Sequence, residues 1–164
     1  MARDGDLGKW MRSLLPCYRV SFFGKNVLFT HADVPEKLEE KSVMDRFVQM
    51  YDRHMSSPTF VHGGSQEKYG SRLLKTQHGI FWERRFDSLS QEEVDELLNG
   101  LETDFLVVGH TPHKKITVHG GKVFDIDVGM FPRYGANDPA AIIFKKEGIY
   151  EFYVSKGEKN LVRF

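Results

Sequence analysis

Two histidines occupy matching places in this sequence. His31 follows the run Val27-Leu28-Phe29-Thr30, and His110 follows Phe105-Leu106-Val107-Val108-Gly109. Short apolar runs rich in valine that do not alternate read as buried strands. Each histidine is then followed by turn residues: Ala32-Asp33 in one case, Thr111-Pro112 in the other. Neutral imidazoles held rigidly at strand ends suit a first-row divalent metal. Two histidines are not a site by themselves, because such metals usually take three or more protein ligands. Asp127 follows a third strand, where it serves as a further ligand, as an orienting carboxylate or, equally well, as a turn cap. Arg84 and Arg85 follow an apolar-aromatic segment. A guanidinium beside a metal pair clamps a phosphoryl group, since it binds two oxygens at once; the plainer reading is surface charge.

The elements that must carry these residues follow from periodicity. Leu7, Trp10, Met11, Leu14 and Leu15 recur at helical spacing up to Pro16. Tyr18 to Phe23 and Val27 to Thr30 form a hairpin around Gly24-Lys25-Asn26. Asp33 then caps a second helix, with Glu36 at its third position and Leu38, Val43, Met44, Phe47, Val48 and Tyr51 on its apolar side. Glu36, Lys37, Glu39, Glu40 and Lys41 form its solvated face. Residues 52–80 are irregular and read as a long loop with one helical turn around Gly70 to Lys75. A capping box, Ser90 with Glu93, and a staple, Leu89 with Val94, open a helix that ends at Asn99-Gly100. After Phe105–Val108 the chain is β: a hairpin around Gly120-Gly121, another around Lys145–Gly148, and a last edge strand at Leu161 to Phe164. The fold class is α+β, a layered mixed or antiparallel sheet structure with two main flanking helices, not a parallel βαβ array.

Composition sets the outer limits. The 164 residues fit one domain, and thirteen phenylalanines can build a core. Lys+Arg and Asp+Glu are 23 each, so no basic excess argues for nucleic acid or a membrane surface. A single cysteine, Cys17, allows no internal disulfide and fits a reducing, cytoplasmic setting. No segment is apolar for long enough to span a bilayer.

With these residues in order, the chain resembles the calcineurin-like metallophosphoesterases. Within them it is most similar to the phosphoprotein phosphatase branch and to the Shewanella-like phosphatases. Val107-Val108-Gly109-His110-Thr111-Pro112 followed by Phe124-Asp125-Ile126-Asp127-Val128-Gly129-Met130 carries the likeness. Gly8-Lys9-Trp10 through Leu15-Pro16, Leu28-Phe29-Thr30-His31-Ala32, Gly79-Ile80-Phe81-Trp82-Glu83-Arg84 and Asp127 to Gly135 with Ala140-Ala141 agree with it in order. The resemblance implies an α-β-β-α sandwich of which residues 1–164 are the C-terminal portion. It implies His31 and His110 as ligands of one metal of a dinuclear centre of Mn, Fe or Zn, Arg84 as a phosphate-binding residue and Tyr134 as a pocket residue. Asp127 is implied to be structural, holding the loop after His110, and His113 to lie at the surface or at the pocket edge. Phe60-Val61-His62-Gly63-Gly64 also resembles the family's strand-end His-Gly-Gly. His31 is preferred because a hairpin strand precedes it, whereas Ser56-Ser57-Pro58 precedes His62.

The family's Gly-Asp-x-His, Gly-Asp-x-x-Asp-Arg-Gly and Gly-Asn-His-Glu motifs are absent. With them would go the ligands of the other metal, the bridging aspartate, a second arginine and the general acid. The expectation is therefore a metal-dependent phosphoesterase, acting in its complete form on serine/threonine or tyrosine phosphoproteins or small phosphoesters. This chain alone is expected to be weakly active or inactive, since even one donor to a developing charge is worth roughly 2.7–4 kcal/mol. The alternatives are a non-catalytic phosphate- or partner-binding half-domain and a dinucleoside polyphosphate hydrolase. Pairing with a missing N-terminal half is expected. So is self-association, on the premise that the edges and one face of the Phe105–Val108 sheet are bare.

Overall fold

The unbroken apolar run Phe105–Val108 is explained by its position in the computed structural model, which describes residues 5–56 and 78–164. His62 and the helical turn expected at Gly70 to Lys75 lie outside the described residues. The elements are α1 (Asp6–Ser13), β1 (Cys17–Phe22), β2 (Lys25–Thr30), α2 (Lys41–Ser56), α3 (Gln91–Gly100), β3 (Phe105–Val108), β4 (Thr117–His119), β5 (Val123–Asp125), β6 (Ala140–Lys145), β7 (Gly148–Tyr153) and β8 (Gly157–Arg163). Short 3-10 turns occupy Glu36–Leu38, Phe86–Ser88 and Pro132–Tyr134.

Strand β3 lies at the middle of a five-stranded mixed sheet of order β1-β2-β3-β5-β4. It runs parallel to both neighbours, β2 and β5, while β1 and β4 are antiparallel at the edges. Leu106 and Val108 face the helices, packing with Leu28, Val34, Leu38, Met44, Phe47, Leu97 and Leu101. Phe105 and Val107 face the other way, into a core shared with Ile142, Phe144, Ile149 and Leu161 of a three-stranded antiparallel sheet, β6-β7-β8. A strand covered on both faces has no polar side, so the run does not alternate. Burying side chains of this size contributes about 1.5–3 kcal/mol each. The layers run helices, five-stranded sheet, three-stranded sheet, and the α+β expectation holds. The premise offered for self-association holds only for the edges: both faces of β3 are covered, while β1 and β4 are unpaired on their outer sides among the described residues.

Asp33 does not cap a helix. It is 4% exposed, and its Oδ2 accepts the backbone N–H groups of Arg85 and Phe86. The regular helix α2 starts only at Lys41, after a 3-10 turn led by Pro35. Glu39 is also more than a solvated residue, since it accepts from the Arg85 guanidinium. The helix α3 is capped as its sequence predicts: Ser90 accepts from the Glu93 N–H, and Glu93 accepts from the Ser90 N–H at 2.7 Å. Gly100 closes it by allowing close approach, not by a left-handed cap. A Cβ there would stand 2.6 Å from the Glu39 carbonyl oxygen.

The last strand is longer than expected and starts earlier, at Gly157. No helix of the structure is long and apolar enough to cross a membrane among the described residues.

Candidate functional site

Parallel pairing sets His31 beside His110. The register joins Val27 to Phe105, Leu28 to Leu106 and Phe29 to Val107, so β2 and β3 end level with each other. Just beyond, the Gly109 N–H donates to the His31 carbonyl at 3.1 Å. The turn itself falls on His110, whose φ is +73°, and not on Gly109. A non-glycine residue held there is strained, and such strain collects at functional sites. The imidazole rings lie 5.0 Å apart at 57°, and His31 Nε2 stands 3.2 Å from His110 Nδ1. Two nitrogens each about 2.1 Å from one ion and 3.2 Å apart would subtend roughly 100° there, near the tetrahedral angle. That spacing lets both nitrogens approach one ion, and it is equally the distance of a hydrogen bond between the two rings. The histidines are still only a pair: among the described residues no group of three or more His, Cys, Asp or Glu side chains is placed to hold a metal.

Burial, then the positive charge of Arg84, then His31 hold the His110 pKa below the usual histidine value, with Asp127 opposing them. His110 is therefore neutral near pH 7, the form in which imidazole binds metal. Trp82 stands edge-on to its ring at 5.4 Å and 90°, and Phe81 lies 6.1 Å from the His31 ring.

Arg84 comes to the same place from the segment before α3. Its Nη2 is 3.4 Å from His110 Nε2. The segment is pinned by its backbone: Asp33 N–H donates to the Glu83 carbonyl, and Glu83 N–H to that of Gly79. Arg85 turns away to Glu39, so only the first of the two arginines reaches the histidine pair.

Asp127 is a loop-holding residue. Its Oδ1 accepts the Gly129 N–H at 3.0 Å, and its carbonyl accepts the His113 N–H at 2.8 Å, tying its own turn to the loop after His110. Tyr134 is 56% exposed and packs toward Phe131 and Gly129. No hydrogen bond or ring contact joins it to His31, His110 or Arg84 among the described residues. The structure thus brings together His31, His110 and Arg84 and leaves Tyr134 outside that group.

A polar cluster beneath the site escaped the sequence reading. Asp125 is 3% exposed; its Oδ1 accepts the Asp127 N–H, and its Oδ2 lies 3.2 Å from His113 Nε2. Asp125 and His113, with Asp33, Arg84 and His119, line a cavity of about 10 Å³, room for one water. His113 therefore sits at a pocket edge. The signal for Asp125 was present: a carboxylate inside the apolar run Val123-Phe124-Asp125-Ile126 must have a partner when buried.

The arrangement is a mixed-sheet sandwich with an imidazole pair and an arginine at the ends of its parallel strands. Compared by fold, the chain is similar to a cold-active protein tyrosine phosphatase solved at 1.1 Å, with a TM-score of 0.74 and 16% identity over 96% of this chain and 45% of that one. It is equally similar to the cold-active protein-tyrosine phosphatase of a psychrophile, Shewanella sp., with a TM-score of 0.73 and 17% identity over 97% of this chain and 46% of the other. The chain spans less than half the length of these solved structures. Compared by sequence, it matches no protein-family model and no curated protein.

Proposed function

We propose that these residues form the C-terminal portion of a metal-dependent phosphoesterase, most simply a serine/threonine or tyrosine phosphoprotein phosphatase in its complete form. The observation that carries this reading is the meeting of His31, His110 and Arg84 within hydrogen-bond distance at the ends of two parallel strands. His31 and His110 would hold one ion of a pair of Mn, Fe or Zn. Such ions supply a water of lowered pKa and stabilise phosphoryl oxygens when bound. The chain's own residues do the positioning. Arg84 offers two N–H groups to the phosphoryl oxygens, Trp82 fixes the His110 ring edge-on, and Asp127 and Asp125 hold the loop behind it. Tyr134 would line the pocket by resemblance alone.

Two imidazoles do not complete a metal site. The remaining donors would come from a partner polypeptide or a further segment, so this chain by itself would bind metal weakly and turn over little substrate. The same count favours a second reading, a half-domain that binds phosphate or a partner without catalysis. Turnover of p-nitrophenyl phosphate with Mn²⁺ separates the two. The first reading predicts activity only when the missing donors are supplied, and the second predicts phosphate binding with no turnover under either condition. A cytoplasmic setting is proposed on the lone Cys17.

A further inference from the structure

The sandwich has a second concavity, which none of His31, His110 and Arg84 lines. A groove of about 650 Å³ opens between two strand edges, β4 of the five-stranded sheet and β8 of the three-stranded one. Neither strand is paired on its outer side among the described residues, so both present backbone donors and acceptors without a ladder partner. The floor is aliphatic, from Ile116, Val118 and Leu161. It is braced by Tyr153, whose buried hydroxyl accepts the Ile116 N–H at 2.8 Å.

The rim is cationic. Lys115, Lys156 and Lys159 border the groove, against one acid, Glu151. Glu151 is mostly covered and lies 3.6 Å from Lys159, which leaves Lys115 and Lys156 without a carboxylate among the groove residues. Lys156 lies over the Tyr153 ring at 5.3 Å, which keeps its ammonium beside the groove. In a protein of zero formal net charge, this is a local positive rim around an apolar slot.

We propose that the groove is a docking site for an extended acidic peptide of a partner protein, one with aliphatic and acidic residues in alternation. An added strand presents successive side chains to opposite sides. Aliphatic side chains would fill the floor over Val118 and Leu161, acidic ones would meet Lys115 and Lys156, and the backbone would pair with a free strand edge. A narrow slot flanked by unpaired backbone suits a peptide better than a membrane surface, which needs a broad face, or a nucleic acid, which needs stacking platforms.

The test is fluorescence anisotropy with the intact chain and a labelled peptide of alternating Val and Glu, beside a Val and Lys counterpart and a single-stranded oligonucleotide. The expected result is saturable binding of the Glu peptide alone, weakened about tenfold or more in a Lys115→Glu, Lys156→Glu variant that keeps its melting temperature. Amide exchange should slow at residues 117–119 or 157–161 in the complex. No binding of the Glu peptide, equal binding of the oligonucleotide, affinity unchanged by the charge reversal, or an exchange pattern unaltered at both edges would each overturn the proposal. None of these outcomes bears on His31, His110 or Arg84, so failure here leaves the phosphoesterase reading standing.

Discussion

Gly109 N–H donates to the carbonyl of His31 at 3.1 Å, so the two turns that carry the imidazoles are locked to each other by the backbone. The sheet register has already set their strands level. The proposed metal half-site would then need little reorganisation to offer two nitrogens to one ion.

Trp82 should report on that half-site. Its ring stands edge-on to His110 at 5.4 Å, whereas Trp10 is in α1. Adding Co²⁺ should quench the fluorescence of a Trp10→Phe variant and leave a Trp82→Phe variant nearly unchanged. Equal quenching in both would separate the metal from His110.

Arg84 should govern phosphate affinity. Hydrogen bonds to charged groups are worth about 1.5–3 kcal/mol, so Arg84→Ala should weaken binding of inorganic phosphate by roughly 10- to 100-fold. Arg85→Ala, whose guanidinium serves Glu39, should lower thermal stability and leave phosphate affinity alone. Calorimetry on both variants checks this; a phosphate defect confined to Arg85→Ala would reverse the assignment.

Asp125 should impose a pH dependence on stability. Burial raises its pKa from 3.8 to about 6, against the hydrogen bond from Asp127 and the charge of His113. The folded value lies above the unfolded one, so its contribution is fully present below 3.8 and is lost as pH rises through about 6. Asp125→Asn should flatten the melting-temperature curve between those limits and gain relative to the parent above them. Parallel curves for the two proteins would refute it.

The core should follow its two faces. Leu106 is fully buried among the helix-facing residues, and Leu106→Ala should cost about 2–5 kcal/mol in urea unfolding. Gly100→Ala should also destabilise, despite alanine's better helix propensity, because its Cβ would press on the Glu39 carbonyl. A stabilised Gly100→Ala protein would mean that α3 does not approach Glu39 so closely.

The parts of this fold that could be read in advance are those with local causes. The hairpin around residues 120–121 follows from β-rich runs and turn residues; the first hairpin was legible too, but its turn is the pair Phe23-Gly24, both at positive φ, and Lys25 and Asn26 belong to β2. The Ser90–Glu93 box closes within three residues. Asp33 shows the opposite case. Its sequence neighbourhood looks like a helix cap, but its carboxylate is taken by N–H groups 52 and 53 residues away. No local pattern encodes such a partner. The pairing of His113 with Asp125 was hidden for the same reason, since β4 and its turn must first fold between them. His31, His110 and Arg84 were legible as types and places, and their convergence needed the parallel register of β2 and β3. Tyr134 rested on resemblance alone, and the structure sets it apart from the other three.

The most direct test is a Co²⁺ titration of the intact chain followed by its visible absorption, repeated on His31→Ala, His110→Ala, His62→Ala and His113→Ala. Loss of a partner that only orients a ligand already costs about 10–100-fold in affinity, so loss of a ligand should cost at least that much. Such a loss is expected for His31→Ala and His110→Ala, with His62→Ala and His113→Ala close to the parent. Binding that survives in His31→Ala and fails in His62→Ala, or that is absent from the parent, would contradict it.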